Sequence, residues 1–198
     1  RGSGKKKDRQ QYLLLNQDLK AQSYRPFYLL YGEESYLKTS YKRSFREAFG
    51  GKDSMNYSYF EGNVELDELL SVLETLPFLA EGRLVILEDS GFCRHSAPER
   101  LCAYLPRMPK SSHLMLIEKE VDKRNRLYKM LDQGGLCCEL AEQDERALSA
   151  WAARILKKEG KRIRPAAMAL LLERTGKSME HILTELQKLS AYLGEREL

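Results

Sequence analysis

Residues 27–39 read Phe27-Tyr28-Leu29-Leu30-Tyr31-Gly32-Glu33-Glu34-Ser35-Tyr36-Leu37-Lys38-Thr39, an apolar run that leads through a glycine into a polar segment. This order predicts a buried strand, a tight turn and a helix. It matches the phosphate-binding pattern G-x-x-x-x-G-K-[ST] except at Leu37, where the pattern requires its second glycine. A leucine there crowds the space for a phosphate and stiffens backbone that must bend around it. The stretch therefore predicts a nucleotide-binding architecture with a degenerate loop, whose key positions are Gly32, Leu37, Lys38 and Thr39.

The segment from Phe27 to about Leu140 alternates short apolar runs with longer amphipathic stretches, which predicts an α/β domain with a mostly parallel sheet. Most of the runs are almost continuously apolar, as expected of strands that are buried on both faces. The predicted strands are Phe27–Tyr31, Asn56–Phe60, Leu84–Glu88, His113–Glu118 and Leu136–Leu140. The predicted helices are Tyr12–Lys20, Tyr36–Phe49, Leu66–Leu76, Ala97–Leu105 and Lys123–Leu131.

The pattern changes after residue 140, because no further strand pattern occurs and three helical segments follow in close succession. The first is Asp144–Glu159, the second has Pro165 in its first turn, and the third has Ser178 as its N-cap. Three short helices can bury one small core against each other. We therefore expect a second, all-α domain over residues 142–198.

The N-terminal residues are set apart from both domains. Arg1–Gly4 has the composition of an expression tag, and Lys5–Lys7 is expected to be a disordered leader. The predicted organisation is a leader and an N-terminal helix over residues 1–24, an α/β domain over residues 25–141, and a three-helix domain over residues 142–198.

The composition is that of a folded domain, since 42% of the 198 residues are hydrophobic. No apolar run approaches the roughly 20 residues that cross a bilayer, and the N-terminus lacks a signal-peptide pattern. We expect a cytoplasmic protein without a membrane partner. The formal net charge of +4 is too small to indicate nucleic-acid binding by itself.

The four cysteines are expected to be reduced and buried, because they contain no C-x-x-C pair. Two of them, Cys137 and Cys138, are adjacent and should point to opposite faces of a strand. The other two are Cys93 and Cys102. We expect no metal site among them.

A working ATPase of this type also needs an acid at a strand end to hold the water shell of magnesium. Glu88 and Asp89 follow an apolar run in this way. The favoured interpretation, however, is that both are solvated residues at the end of a strand. The histidines His95, His113 and His181 are scattered, and no serine lies in a G-x-S-x-G pattern. We therefore expect no catalytic site, no metal and no cofactor in this chain.

Four residues between a predicted helix and strand, Leu76, Pro77, Phe78 and Leu79, are unusually apolar for a loop. Two interpretations are open. Phe78 and Leu79 fold back over the edge of the core, which periodicity favours, or the loop offers an exposed apolar wedge to a partner's pocket. Composition does not decide between them.

Two basic clusters are candidates for contacts with DNA or a partner. The first is Lys123, Arg124 and Arg126 in a helix for which Asp122 is the predicted N-cap, and the second is Lys157, Lys158, Lys161 and Arg162 between two helices of the small domain. Solvated helix faces are the simpler interpretation. Such clusters can meet phosphates, but no interleaved aromatic residues indicate base stacking.

An ordered set of motifs resembles the delta subunit family of bacterial DNA polymerase III, the clamp-opening members of the clamp loader. Order and spacing carry the resemblance, which covers about Phe27 to Leu193. The motifs are Tyr28–Leu37, Leu73–Phe78, Arg83–Glu88, Asp122–Arg124 with Leu127–Lys129, and Glu185–Leu189 with Tyr192.

The resemblance implies an AAA+-type α/β domain followed by a three-helix lid domain, without a functional ATP site. It implies that the loop of Leu76, Pro77, Phe78 and Leu79 inserts into a hydrophobic pocket of the ring-shaped sliding clamp, the beta subunit, and favours its open form. Phe78 matches the family's inserted residues most directly.

The resemblance also implies the remaining partners. ATP hydrolysis would come from other loader subunits. The partner subunits gamma/tau and delta prime would be joined mainly through a C-terminal collar domain that this chain is expected to lack. The substrate of the whole complex would be primed DNA, and the chain would belong to a DNA-directed DNA polymerase (nucleotidyltransferase) holoenzyme without catalysing a reaction itself. The alternatives are an active P-loop ATPase of the clamp-loader type, since Lys38 and Thr39 are retained, and a DNA-binding scaffold.

Overall fold

The computed structural model describes residues 2–194, with side chains from residue 11 onward. Its sheet has five parallel strands in the order β2-β3-β4-β1-β5. The strands are β1 Phe27–Tyr31, β2 Tyr57–Glu61, β3 Arg83–Glu88, β4 Ser112–Glu118 and β5 Leu136–Glu139. The helices around them are α1 Gly2–Ala21, α2 Ser35–Ala48, α3 Leu66–Glu74, α4 Glu99–Tyr104 and α5 Arg126–Gly134, with a short 3-10 turn over Leu105–Arg107.

The two faces of the sheet bury separate apolar clusters, because successive side chains of a strand point in opposite directions. In β1, Leu29 belongs to the cluster that includes residues of α3, α4 and α5, whereas Tyr28 and Leu30 belong to the cluster that includes residues of α1 and α2. All five residues of β1 are buried. The nearly continuous apolar strands are thus explained by helices on both faces.

The N-terminal helix belongs to the sheet unit and begins earlier than predicted. α1 starts at Gly2, so the segment that the sequence assigns to a disordered leader is helical here. Leu15 is fully buried against the sheet, and the Tyr12 hydroxyl donates to the backbone oxygen of Glu139 at 3.4 Å. Asp18 accepts hydrogen bonds from Arg25 at 2.7 Å and from Tyr28 at 2.9 Å. These contacts fix the helix to the chain that enters β1.

α5 begins later than the sequence predicts, which corrects its N-cap. The helix starts at Arg126, and the Asn125 side chain accepts from the N–H groups of Leu127 and Tyr128. Asp122, the predicted cap, instead accepts from the backbone N–H of Arg124 at 2.8 Å and from its guanidinium at 2.9 Å. Both side chains can serve as caps, so only the tertiary position of the turn selects one.

The chain divides into two units between Ala141 and Glu142. The described part of the second unit contains the helices α6 Glu145–Lys158, α7 Pro165–Arg174 and α8 Met179–Leu193. Asp144 caps α6 by accepting from Ala147 at 2.9 Å, and Ser178 caps α8. The core of this unit is formed by Leu148, Ala152, Leu156, Met168, Leu171, Leu172, Met179, Ile182 and Leu186.

All four cysteines are free and buried. Cys137 and Cys138 lie in the two different apolar clusters, as their adjacency in β5 predicts. Among residues 2–194, no group of three or more His, Cys, Asp or Glu side chains is arranged to hold a metal ion. No helix within the same range is long and apolar enough to span a bilayer.

Candidate functional site

The turn after β1, residues 32–34, is closed by bonds to the protein itself. The Gly32 N–H donates to the Lys119 backbone oxygen at 3.1 Å, and the Glu34 N–H donates to the Leu140 backbone oxygen at 2.9 Å. Gly32 has a φ of +119°, and a Cβ at this position would lie 2.6 Å from the Leu140 oxygen. The glycine is therefore required by a close backbone approach. In a phosphate-binding loop, by contrast, such N–H groups point at the ligand.

The positions that would surround a phosphate belong to a capped helix. α2 begins at Ser35, and the Glu34 carboxylate accepts from the Tyr36 N–H at 3.2 Å. This carboxylate takes the place at the helix N-terminus that a bound anion would take. Leu37 lies in the first turn and packs, half-buried, against the apolar cluster on the α1 and α2 side of the sheet. The chain thus fills the cradle region with its own groups.

The Glu88 carboxylate at the end of β3 has internal partners, which corrects the expectation that it is solvated. The Glu88 carboxylate, with 19% of its side chain exposed, accepts from the Lys42 ammonium at 2.5 Å and from the Tyr59 hydroxyl at 2.7 Å. Asp89, the next residue, is exposed and has a φ of +52°. Glu88 occupies the strand end where an ATPase would place its magnesium-associated acid, and a lysine of α2 neutralises it.

Two further strand-end acids were not singled out from the sequence. Glu118 is 3% exposed and accepts from the Ser90 hydroxyl at 2.5 Å and from the Gly91 N–H at 3.1 Å. Burial raises the pKa of Glu118, although the hydrogen bonds oppose this shift. Glu139 accepts from Lys123 at 2.9 Å and from the Tyr31 hydroxyl at 3.2 Å. A signal for these acids was present, since β4 and β5 each end in glutamate.

The apolar loop, residues 75–82, precedes β3, whereas the β1 turn follows β1. In a parallel sheet the two segments therefore lie at opposite ends of the strands. Three of its side chains are strongly exposed: Leu76 at 72%, Phe78 at 56% and Leu79 at 91%. Pro77 is partly buried. The interpretation that Phe78 and Leu79 cover the core edge is therefore wrong. Exposed large apolar side chains grouped on one loop are typical of a partner-binding surface.

The backbone of the apolar loop is nevertheless held firmly. The Asn56 amide accepts from the Phe78 N–H at 2.6 Å and donates to the Phe78 backbone oxygen at 2.8 Å. Arg83, which is 6% exposed, donates to the Thr75 backbone oxygen at 3.3 Å. Leu79 adopts a φ of +49°, which is uncommon for a leucine. The loop thus presents apolar side chains from a backbone with fixed hydrogen bonds.

Two of the three predicted basic residues of the first unit form local ion pairs. Lys123 pairs with Glu139 at 2.9 Å and lies 5.6 Å from the centre of the Tyr31 ring. Arg124 pairs with Asp122, and this guanidinium lowers the pKa of the Asp122 carboxyl. Arg126 is exposed in the first turn of α5.

In the second unit, the structure brings the predicted basic residues together at the end of α6. Lys157, Lys158 and Arg162 are exposed. The Lys161 ammonium donates to the backbone oxygen of Gly194. A shallow groove there is lined by Lys157, Lys161 and Arg162 together with Ala153, Gly160 and Ile163.

Residues 28–141 match the sequence model of the family described as "DNA polymerase III, delta subunit". The chain belongs to the DNA polymerase III delta subunit family. A curated relative, DNA polymerase III subunit delta of Bacillus subtilis (strain 168), is 25% identical over 192 residues, which is 90% of this chain and 55% of that protein.

Solved structures show the same architecture. The Bacillus subtilis DNA clamp loader delta protein aligns with a TM-score of 0.74 at 25% identity, covering 94% of this delta-family chain and 59% of that chain. The Thermotoga maritima RuvB Holliday junction branch migration motor aligns at 14% identity with a TM-score of 0.59, covering 97% and 63%. The predicted AAA+-like α/β fold with C-terminal helices is confirmed. The chain spans a little over half the length of the delta proteins that it matches.

Proposed function

We propose that this chain binds a ring-shaped sliding clamp, the beta subunit of the replicative polymerase, and helps to open it for loading onto primed DNA. The observation that carries the proposal is the exposed apolar loop, with Phe78 56% exposed on a backbone fixed by Asn56. A large aromatic side chain on a fixed loop is a typical anchor for an apolar pocket. The sliding clamp is proposed as the partner because the chain belongs to the delta subunit family.

Opening follows if the loop binds the open clamp more tightly than the closed clamp. A partner shifts a conformational equilibrium only through its difference in affinity for the two states. Insertion of Phe78 and Leu79 beside a clamp interface would provide this difference when the pocket changes shape between the two states. The sheet unit beneath the loop would act as a rigid support.

We propose further that ATP is bound and hydrolysed by other subunits of the loader, in which gamma/tau and delta prime are the expected partners of this chain. The support is the closed β1 turn, in which the Gly32 and Glu34 N–H groups bond to backbone oxygens and Glu34 caps α2. The complex would act in the bacterial cytoplasm, and the second-unit cluster of Lys157, Lys158, Lys161 and Arg162 would be the first candidate for contact with DNA phosphates.

The test is a calorimetric titration of the cognate clamp with the chain and its Phe78→Ala variant. We expect Phe78→Ala to weaken binding by about 2 kcal/mol or more, because it removes an aromatic anchor that would be buried in the pocket of the clamp. The fold should be unaffected, since the side chain is exposed in the free protein. Tyr192→Ala is the matched control, because Tyr192 is an 82% exposed aromatic residue of α8, outside the apolar loop.

Equal clamp affinities for the unchanged chain and Phe78→Ala would reject the placement of the binding surface. Micromolar ATP binding with turnover in the isolated chain would instead support an active ATPase. Steeply salt-dependent DNA binding that survives Phe78→Ala, without measurable clamp affinity, would support a DNA-binding scaffold.

A further inference from the structure

The Asn56 side chain makes a paired hydrogen bond with the backbone of Phe78, 22 residues away in the sequence. Its amide oxygen accepts from the Phe78 N–H at 2.6 Å, and its amide nitrogen donates to the Phe78 backbone oxygen at 2.8 Å. Both backbone polar groups of the exposed aromatic residue are thereby satisfied by one side chain. The pairing imitates the contact that a neighbouring strand would provide.

A second bridge joins the same two loops. The buried Arg83 guanidinium donates to the Thr75 backbone oxygen at 3.3 Å and to the Met55 backbone oxygen at 3.4 Å. It also donates to the Ser58 hydroxyl at 3.2 Å. Thr75 is the C-cap of α3 and the first residue of the apolar loop, and Met55 directly precedes Asn56. The chain before β2 is therefore the support on which the apolar loop rests.

The support matters because an apolar loop in water gains from collapse onto the protein surface. In this loop Leu79 is 91% exposed and has a φ of +49°. This conformation is sparsely populated by residues other than glycine, so the surroundings must hold it. A loop that is already ordered in the free protein loses less conformational entropy when it binds a partner.

We propose that Asn56 is the positioning residue of the apolar loop, fixing the Phe78 backbone so that its ring is presented to the apolar pocket of the clamp. The inference rests on the proposed function. Asn56 acts through Phe78, and its amide is specific to this task because it supplies a donor and an acceptor side by side. An aspartate at this position keeps the acceptor but places a second oxygen against the Phe78 backbone oxygen.

The experiment is a double-mutant cycle on clamp affinity with Asn56→Ala, Phe78→Ala and the combined variant. We expect Asn56→Ala to weaken binding about tenfold, because the loop must then be ordered at the moment of binding. In the Phe78→Ala background the same substitution should have an effect of less than about threefold, since its action passes through Phe78. Asn56→Asp should weaken binding as well, because it retains only one of the two hydrogen bonds.

Asn125→Ala is the matched control. The Asn125 amide also holds backbone by donating to the Phe92 oxygen at 3.0 Å and the His95 oxygen at 2.7 Å, but it lies beside α5. The Asn125→Ala substitution should lower the free energy of unfolding, while clamp affinity should stay within about twofold of that of the unchanged chain. Hydrogen exchange provides a direct reading of the contact: Asn56→Ala should accelerate exchange at the Phe78 N–H, and Asn125→Ala should not.

The outcomes separate the inference from the proposed function. An effect of Asn56→Ala that is equal in both Phe78 backgrounds, or no faster exchange at the Phe78 N–H, would overturn the positioning role while the proposed function stands. Unchanged affinity in Phe78→Ala would reject the apolar loop as the clamp-binding surface and the positioning role together. If Asn56→Ala does not fold, Asn56→Asp carries the same cycle, and additive effects of Asn56→Asp and Phe78→Ala would then overturn the inference.

Discussion

The β1 turn and the apolar loop lie at opposite ends of the strands of one parallel sheet, and their side chains face in opposite ways. Both have backbone held by the protein: Gly32 by the Lys119 oxygen and Phe78 by the Asn56 amide. In the β1 turn the leucine that follows, Leu37, packs inward, whereas in the apolar loop Phe78 and Leu79 face solvent. In the proposed function, the end of the sheet that would hold a nucleotide is closed by internal hydrogen bonds, and the exposed loop at the other end would be the surface that binds the clamp.

The largest expected effect tests whether the β1 turn serves only the fold. Gly32→Ala should lower the free energy of unfolding by about 3 kcal/mol, because it adds backbone strain and a Cβ 2.6 Å from the Leu140 oxygen. Urea denaturation followed by circular dichroism measures this loss. Clamp affinity of the folded fraction should not change.

Gly62→Ala is the control for this substitution. Gly62 also has a positive φ, of +69°, but a Cβ there would meet no atom within 4 Å. A loss of stability as large as that of Gly32→Ala would show that φ alone, without the close contact to Leu140, accounts for the effect.

The next effect tests whether restoring the missing glycine restores a nucleotide site. Leu37→Gly completes the G-x-x-x-x-G-K-[ST] pattern, yet we expect no ATP binding, because Glu34 caps the helix and the turn N–H groups are bonded internally. The substitution should lower the free energy of unfolding by about 2 kcal/mol through lost packing and helix propensity. Calorimetric titration with Mg·ATP and a urea melt measure both quantities.

The variant Leu37→Ala separates the two contributions, since alanine keeps helix propensity while losing the packing. Saturable ATP binding by Leu37→Gly at micromolar concentrations would show that the Leu37 side chain, and not the hydrogen-bonded β1 turn, prevents nucleotide binding.

The smallest effect concerns His113, at the start of β4. Its ring packs closely against Gly82, because a Cβ on that glycine would lie 2.8 Å from the ring. His113 is 8% exposed, its Nδ1 lies 2.8 Å from the Arg25 oxygen, and burial lowers its pKa. The unfolded chain therefore takes up a proton as the pH falls through about 6.5, whereas the folded chain resists it. The free energy of unfolding should fall between pH 7.5 and pH 5.5 because of this residue, by at most about 1.4 kcal/mol, the limit for one proton that only the unfolded chain takes up.

His113→Gln should remove that contribution, which urea denaturation at the two pH values would measure. Glu118 acts in the opposite direction, because burial raises its pKa and its stabilisation is lost as the pH rises through the folded-state value. The difference in pH dependence between the unchanged chain and His113→Gln isolates the contribution of the histidine. If the free energy of unfolding depends on pH identically in both, the dependence comes from other groups.

Much of the fold could be predicted because the relevant signals are local. Every predicted strand of the sheet lies within one residue of its observed ends, since apolar runs between polar turns define buried strands. The cap of α5 could not be predicted, because Asp122 and Asn125 are both good caps and their selection depends on contacts of Asn125 with Phe92 and His95. The partners of Glu88 and Glu118 likewise come from distant segments.

The sequence by itself determined the α/β order, the degenerate loop at Leu37 and the presence of an apolar segment at residues 76–79. Hydrophobic periodicity and glycine positions carry this information along the chain. Only the tertiary structure decided which way the apolar segment faces, because the same residues could cover the core or meet solvent. The deciding contacts join Asn56 and Arg83 to residues that are distant in sequence, and pairings of this kind leave no periodic pattern in the chain.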